Sequence, residues 1–464
     1  MINYKTMYKL KNYLLSMQSH WMINQPTYKA VQDTLPLIAK YKASGGQQDL
    51  PKTPVHKVVK KIYPEIYKVP LFRRHFCNLL VKEIEMMKKE IDFVGNEEED
   101  ELRQIPEIQG ALIVMEPNSG KVMAMQGGFS HSASGFNRAL QANRQPGSLF
   151  KPFVYLAALK NGYNPNSIIV DAPISVKQLS GVWRPQNASD KWFGVAPLRK
   201  GLEYSRNLMT VRLAKAVGMT EVKKYAELFG LYEDMPSLLS YSLGAGETTL
   251  LKLVRAYSIF ANGGFEVEPT FFDLVQDRFG NTIYQHGNLR CLGCENFKFN
   301  EGRKPIFLNM AKRLVDPVSI AQVNSMLQGV VKRGTAAKTV GTLKQAIAGK
   351  TGTTNKSKDV WFIGYTPNVV VGCYMGYDLP RSLGNQASGG LLCGNVFKTF
   401  IQNAYGDKLL INWSLPREAK LRSINYNTGE VTNQNHKQSI EEIFRKNQTI
   451  DDLNSKKVID GGLK

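Results

Sequence analysis

Gln145-Pro146-Gly147-Ser148-Leu149-Phe150-Lys151-Pro152-Phe153-Val154-Tyr155 places a serine three residues ahead of a lysine where an apolar helix begins. No other Ser-x-x-Lys occurs in the chain, and the i, i+3 spacing brings both side chains onto one face of a helix. A serine hydroxyl is a poor nucleophile until a neighbour takes its proton, which a lysine does only where its surroundings favour the neutral amine. Gly147 permits a sharp turn, Pro152 is tolerated in a first helical turn, and Phe153, Val154, Leu156, Ala157 and Leu159 make the helix apolar enough to bury. Asn161-Gly162 ends it. Taken alone, the stretch equally describes a capping serine and a lysine whose stem covers a core helix, so the decision rests on its surroundings.

Upstream, Ala111 to Met115, the turn Glu116 to Gly120 and Lys121 to Gln126 read as a β-hairpin. The Ser148 helix would cover it. Downstream, helical periodicity runs over Leu198 to Tyr204, Leu208 to Val217, Val222 to Phe229 and Leu250 to Ala261, with Thr220 and Thr248 as expected N-caps and Gly218, Gly230 and Gly263 as stops. Between the first two of these helices sits Ser205-Arg206-Asn207, a hydroxyl and an amide that alone would read as a helix cap. After a helix over Ser319 to Val331 come three strand-like runs, Gln345 to Gly349 leading into Lys350-Thr351-Gly352-Thr353, then Asp359 to Tyr365 and Asn368 to Tyr377. Short turns between them predict antiparallel pairing. A last helix is expected over Gly394 to Tyr405, and the polar segment 406–464 reads as a loosely packed tail.

The 464 residues, 43% of them hydrophobic, suffice for two or three domains with a sizeable core. Residues 1–108 read as a mixed, mainly helical region without an active-site constellation, and the acidic run Glu97 to Glu101 marks a solvated linker. Net charge is +21, but the basic residues are scattered and no nucleic-acid motif accompanies them, so nucleic acid is not an expected partner. Of five cysteines only Cys291 and Cys294 are close in sequence, which fits a local disulfide or free thiols better than a metal site. No cofactor or metal is expected. No run of 18 apolar residues and no signal-peptide core is visible, so neither anchor nor export signal is read.

Ser148-x-x-Lys151, Ser205-x-Asn207 and Lys350-Thr351-Gly352, in this order and on a helix start, a loop of a helical lobe and a strand, resemble the signature of penicillin-recognising serine acyltransferases. Over residues 109–405 the chain resembles the transpeptidase domain of class A penicillin-binding proteins, including Trp183 to Asn187 and Ser242 to Glu247. The resemblance implies an α+β, β-lactamase/transpeptidase-like fold: an antiparallel sheet flanked by helices, with a helical lobe. It implies a peptidoglycan D,D-transpeptidase in which Ser148 is the nucleophile, Lys151 its base and Ser205 a proton relay. Asn207, Lys350, Thr351, Gly352 and Thr353 would hold the substrate, and the main-chain N–H groups of Ser148 and Thr353 would form the oxyanion hole. Stem peptides, β-lactam antibiotics and cell-wall synthesis proteins are the implied partners, and the periplasmic face of the bacterial inner membrane the implied location. The family's glycosyltransferase domain is expected to be absent. A D,D-carboxypeptidase and a penicillin-binding fragment or sensor that is acylated without turnover are the alternatives.

Overall fold

The computed structural model describes residues 106–460 except 132–133, 179–180, 190, 288, 293–305, 407, 409–410 and 455–457. The helices expected before residue 105, the acidic linker and Cys294 lie outside the described residues. Strands β1 (Ile108–Met115) and β2 (Val122–Gln126) form the expected hairpin, and β3 (Ala348–Thr353), β4 (Asp359–Tyr365) and β5 (Val370–Tyr377) complete a five-stranded sheet in the order β3-β4-β5-β1-β2. Every neighbouring pair is antiparallel. The strand carrying Lys350 is therefore an edge.

β4 is buried along its whole length, which requires cover on both faces. Helices α5 (Leu250–Ala261) and α7 (Leu392–Tyr405) supply it. Gly364 stands opposite Val371 and Gly372 opposite Ile363, so the pleat points the two glycines to opposite faces. A Cβ on Gly372 would sit 2.4 Å from Val254 of α5, and one on Gly364 would sit 2.5 Å from Phe397 of α7. Cys373 shares the α7 face and forms a disulfide with Cys393. Sequence spacing did not reveal this pair, because a strand and a helix twenty residues apart bring it together.

The remaining α-helices among the described residues are α1 (Lys151–Lys160), α2 (Leu198–Glu203), α3 (Asn207–Val217), α4 (Met219–Leu228), α6 (Pro317–Lys332) and the short α8 (Ile450–Asn454). α1 is buried from Lys151 through Leu159, as a helix apolar on all sides must be. Two expected caps are corrected. Gly218, in a left-handed conformation, precedes α4 in place of Thr220, and Thr249 rather than Thr248 accepts from the Lys252 N–H at the start of α5. The Thr248 hydroxyl instead donates to the Leu231 carbonyl, which removes it from capping.

The loose tail expected over 406–464 is also corrected. β6 (Ala419–Asn425) and β7 (Ser439–Arg445) pair as a hairpin whose Ile424 and Phe444 bury against Leu453. The hairpin docks through charge: Arg199 of α2, almost fully buried, pairs with Glu203 at 2.9 Å and with fully buried Glu442 of β7. Arg333 and Tyr426 also bond Glu203, at 2.8 and 2.6 Å. Losing Glu442 removes one of the two carboxylates on Arg199 and leaves Glu203, so the cost is that of a charged hydrogen bond, about 1.5–3 kcal/mol. Glu442→Ala is thus expected to lower the urea midpoint by an amount equivalent to about 1.5–3 kcal/mol at unchanged slope, whereas Glu441→Ala, on the exposed side of the same strand, changes stability by less than about 0.5 kcal/mol.

Candidate active site

Ser148 lies on a 3-10 turn, Gly147–Phe150, that runs directly into α1. Gly147 has φ +53°, and a Cβ there would approach the Thr353 carbonyl to 3.1 Å, so both torsion and space require glycine. Flanking Leu149 and Phe150 are fully buried, and the Tyr257 hydroxyl donates to the Leu149 carbonyl at 2.8 Å. Trp361 Nε1 donates to the Gln145 carbonyl at 3.1 Å. The turn is pinned on both sides of a half-buried Ser148.

The second loop, Tyr204 to Arg206, is strained. Ser205 has φ +54°, a torsion that disfavours a non-glycine residue by about 1–3 kcal/mol and persists only when its surroundings enforce it. Main-chain bonds from Ser205 to Leu202 and from Arg206 to Gly201 close the loop, and Arg206 Nε is held by Asp171 at 2.8 Å. Asn187 Oδ1 accepts from the Asn207 N–H at 2.8 Å and the Leu208 N–H at 3.2 Å, capping α3 from outside. The loop is therefore the support of a site, and Ser205 is not the cap that its residue type alone suggested.

The strain brings one hydroxyl between two ammonium groups. Lys151 Nζ lies 3.2 Å and Lys350 Nζ 2.9 Å from Ser205 Oγ. Lys151 also donates to the Ser205 carbonyl at 2.5 Å and to Asn207 Oδ1 at 2.6 Å. Among the described residues these bonds run to Ser205 and Asn207, and none joins Lys151 to the Ser148 hydroxyl. Both lysines are fully buried. Desolvation pushes the Lys151 amine well below the usual lysine range, the nearby Lys350 and Arg206 charges push it further, and Asp171 opposes them. Desolvation alone brings Lys350 down to about 7. Lys151 is thereby disposed to be the neutral member of the pair.

The Lys350 strand meets the serine turn at backbone distance, since a Cβ on Gly352 would lie 2.7 Å from the Pro146 carbonyl. Thr351 Oγ1 pairs with Thr335 Oγ1 at 2.7 Å, and the Thr353 hydroxyl accepts from the Gly389 N–H at 3.1 Å. Asn207 Nδ2 donates to the Gln186 carbonyl at 2.7 Å, which leaves one amide hydrogen for a ligand. The three motifs thus converge as the sequence suggested. Sequence reasoning missed Asp171, Thr335 and Gly389. Only the lone carboxylate ending the apolar run Ile168 to Asp171 offered a signal for any of them. Among the described residues no cluster of three or more His, Cys, Asp or Glu could hold a metal ion.

Residues 110–402 match the family of the penicillin binding protein transpeptidase domain. Penicillin-binding protein 1A of Rickettsia conorii is 43% identical over 376 residues, which cover 79% of this chain and 47% of that protein. Its counterpart in Neisseria gonorrhoeae is 38% identical over 310 residues, 66% of this chain and 37% of that protein. The crystal structure of penicillin-binding protein 1A from Haemophilus influenzae superposes with a TM-score of 0.65 at 30% identity, covering 74% of this chain and 54% of that one. The chain spans about half the length of the Rickettsia relative. With the fold, the three converging motifs and a family match over most of the described residues, the chain belongs to the penicillin-binding proteins and carries their transpeptidase domain.

Proposed function

We propose that this chain is a peptidoglycan D,D-transpeptidase working through a serine acyl-enzyme. The observation that carries the reading is the pair of buried lysines sharing the Ser205 hydroxyl, one of them, Lys151, three residues after Ser148 where the serine turn runs into α1. Neutral Lys151 takes the Ser148 proton as Oγ attacks the carbonyl carbon of the penultimate D-alanine of a stem peptide. The main-chain N–H groups of Ser148 and Thr353 receive the developing oxyanion. The carbon–nitrogen bond breaks, Ser205 passes a proton to the leaving nitrogen, and D-alanine departs. The amine of a second stem peptide then attacks the ester, forming the cross-link and restoring Ser148. Lys350 holds the terminal carboxylate, with Thr351 and Thr353 beside it, Gly352 allows the peptide close to the strand, and Asn207 bonds the substrate amide.

A β-lactam offers a strained amide at the same position, which suits a member of a penicillin-binding family. The periplasmic face of the inner membrane, where this substrate is found, is the proposed site of action, and the Cys373–Cys393 disulfide suits an oxidising compartment. No helix among the described residues is long and apolar enough to cross a membrane.

Intact-mass analysis after incubation with a labelled penicillin should show one adduct, mapping to Ser148 and lost in Ser148→Ala. Lys151→Met should slow its formation by about 10²–10⁴-fold, the range for a positioned base. Turnover of a donor peptide with and without an amine acceptor then separates cross-linking from hydrolysis; acylation without turnover of either would leave a sensor.

The lysines also set a pH profile. Because the amine of Lys151 is lowered, it becomes able to accept a proton well below the ordinary lysine range, so the second-order acylation rate rises with pH through that value. Lys350 loses its positive charge as pH passes about 7, and carboxylate capture declines with it. The expected profile is a bell. In Lys350→Arg, whose guanidinium stays charged, the alkaline limb should move to higher pH; a rate independent of pH through this region would contradict both assignments.

A further inference from the structure

Asp171 ends the strand Ile168–Asp171, which pairs with Gly194–Pro197, and its carboxylate is fully buried. Three donors reach it from separate places in the chain: Asn187 Nδ2 at 2.9 Å, the Phe193 N–H at 3.0 Å and Arg206 Nε at 2.8 Å. All three donate, so the carboxylate serves as an acceptor throughout, the role of its charged form. Asn187 in turn accepts from the N–H groups that open α3, and Arg206 directly follows Ser205, so the supports of Asn207 and of Ser205 end on one side chain. Those two residues supply the oxygens that receive the Lys151 amine, Asn207 Oδ1 at 2.6 Å and the Ser205 carbonyl at 2.5 Å. The Arg206 plane also stacks on the Phe193 ring at 4.6 Å, which fixes the guanidinium between carboxylate and ring.

The charges that act on the Lys151 amine are Lys350 of β3, Arg206 of the loop before α3 and Asp171, and among the described residues Asp171 is the one anion of the set. The groups that act with Asp171 from the neighbouring elements are Arg206, Arg212 of α3, which bonds the carbonyls of Ala172 and Pro173, and Tyr155, one turn after Lys151 on α1. When Ser148 attacks, the proton leaves its Oγ for Lys151 Nζ as the bond from Oγ to the carbonyl carbon forms, and a new ammonium arises beside Lys350. In an interior that screens charge poorly, that ammonium needs a counter-charge within the protein. Resting on the transpeptidase reading above, we infer that Asp171 is a positioning residue for the acyl transfer: it holds the acceptors of the Lys151 amine in place and supplies the negative charge opposite the ammonium that forms there.

The test is the second-order rate of acylation by labelled penicillin against pH, in the full chain and in variants that break the same ion pair from opposite ends. Asp171→Asn removes the anion, so Lys151 sheds its proton more readily and the acid limb of the profile moves down by about one pH unit. Its maximum rate falls by about 10–100-fold, the cost of a small displacement of the proton acceptor. Arg206→Met removes the cation and leaves Asp171 with Asn187, the Phe193 N–H and the Arg212 charge, so the acid limb moves up. Arg206→Lys keeps the charge and should leave the limb in place. A merely structural role predicts the same change in Asp171→Asn and Arg206→Met, because both lose one contact. Limbs that stay where they are in both variants, or move in the same direction, overturn the role of Asp171. A wild-type chain that takes no penicillin overturns the acyltransferase reading itself, and the inference falls with it.

Discussion

Two ammonium groups buried without a carboxylate between them constrain everything around the site. Lys151 and Lys350 face one hydroxyl, and bringing both into the interior charged would cost several kcal/mol per ion before their repulsion is counted. The interior resolves this by lowering both and by surrounding Lys151 with acceptors, the Ser205 carbonyl and Asn207 Oδ1. Ser205 meets Lys151 with both its carbonyl and its hydroxyl while held in a left-handed torsion. The arrangement needs a scaffold stiff enough to hold a strained serine and two desolvated amines together.

That stiffness comes from charge pairs outside the site. Asp171 fixes Arg206, the residue after Ser205, and Asn187 fixes the two N–H groups that follow. On the other side, Glu203 lies two residues before Ser205. Its carboxylate takes Arg199, Arg333 and Tyr426, and its carbonyl accepts from the Thr335 N–H. Thr335 in turn meets Thr351 beside Lys350. Glu203 thus couples the lysine strand through its carbonyl and, through its carboxylate, Arg199 and Glu442, the C-terminal hairpin to the serine loop.

Long elements with strong apolar periodicity were legible from sequence: α1, α3, α5 and the strands β3 to β5 fall close to where spacing placed them. So was the convergence of the motifs, because each carries unusual residue types. The C-terminal hairpin was not, since its small apolar set, Ile424, Phe444 and Leu453, is dispersed among polar residues. Its anchoring residue, Glu442, has a type that pattern reading assigns to solvent. The supports of the site were hidden for a related reason. Asp171, Asn187, Glu203 and Thr335 act mostly through partners remote in sequence, and apart from the apolar run that Asp171 ends, nothing local distinguishes them from solvent-facing polar residues.

Glycine explains why the site itself could be read at all. The serine turn, the Ser242 to Gly244 segment and the Lys350 strand pass one another at main-chain distance: a Cβ on Gly244 would lie 2.0 Å from the Gly147 carbonyl, and one on Gly352 would lie 2.7 Å from the Pro146 carbonyl. Side chains at those positions would push the three segments apart by more than a hydrogen bond tolerates. Ser205 Oγ would then leave the reach of one lysine or the other. The glycines next to Ser148 and Lys350 therefore follow from the same geometry that lowers the amines, and a sequence keeping the serines and lysines without the glycines would carry the groups but not the distances.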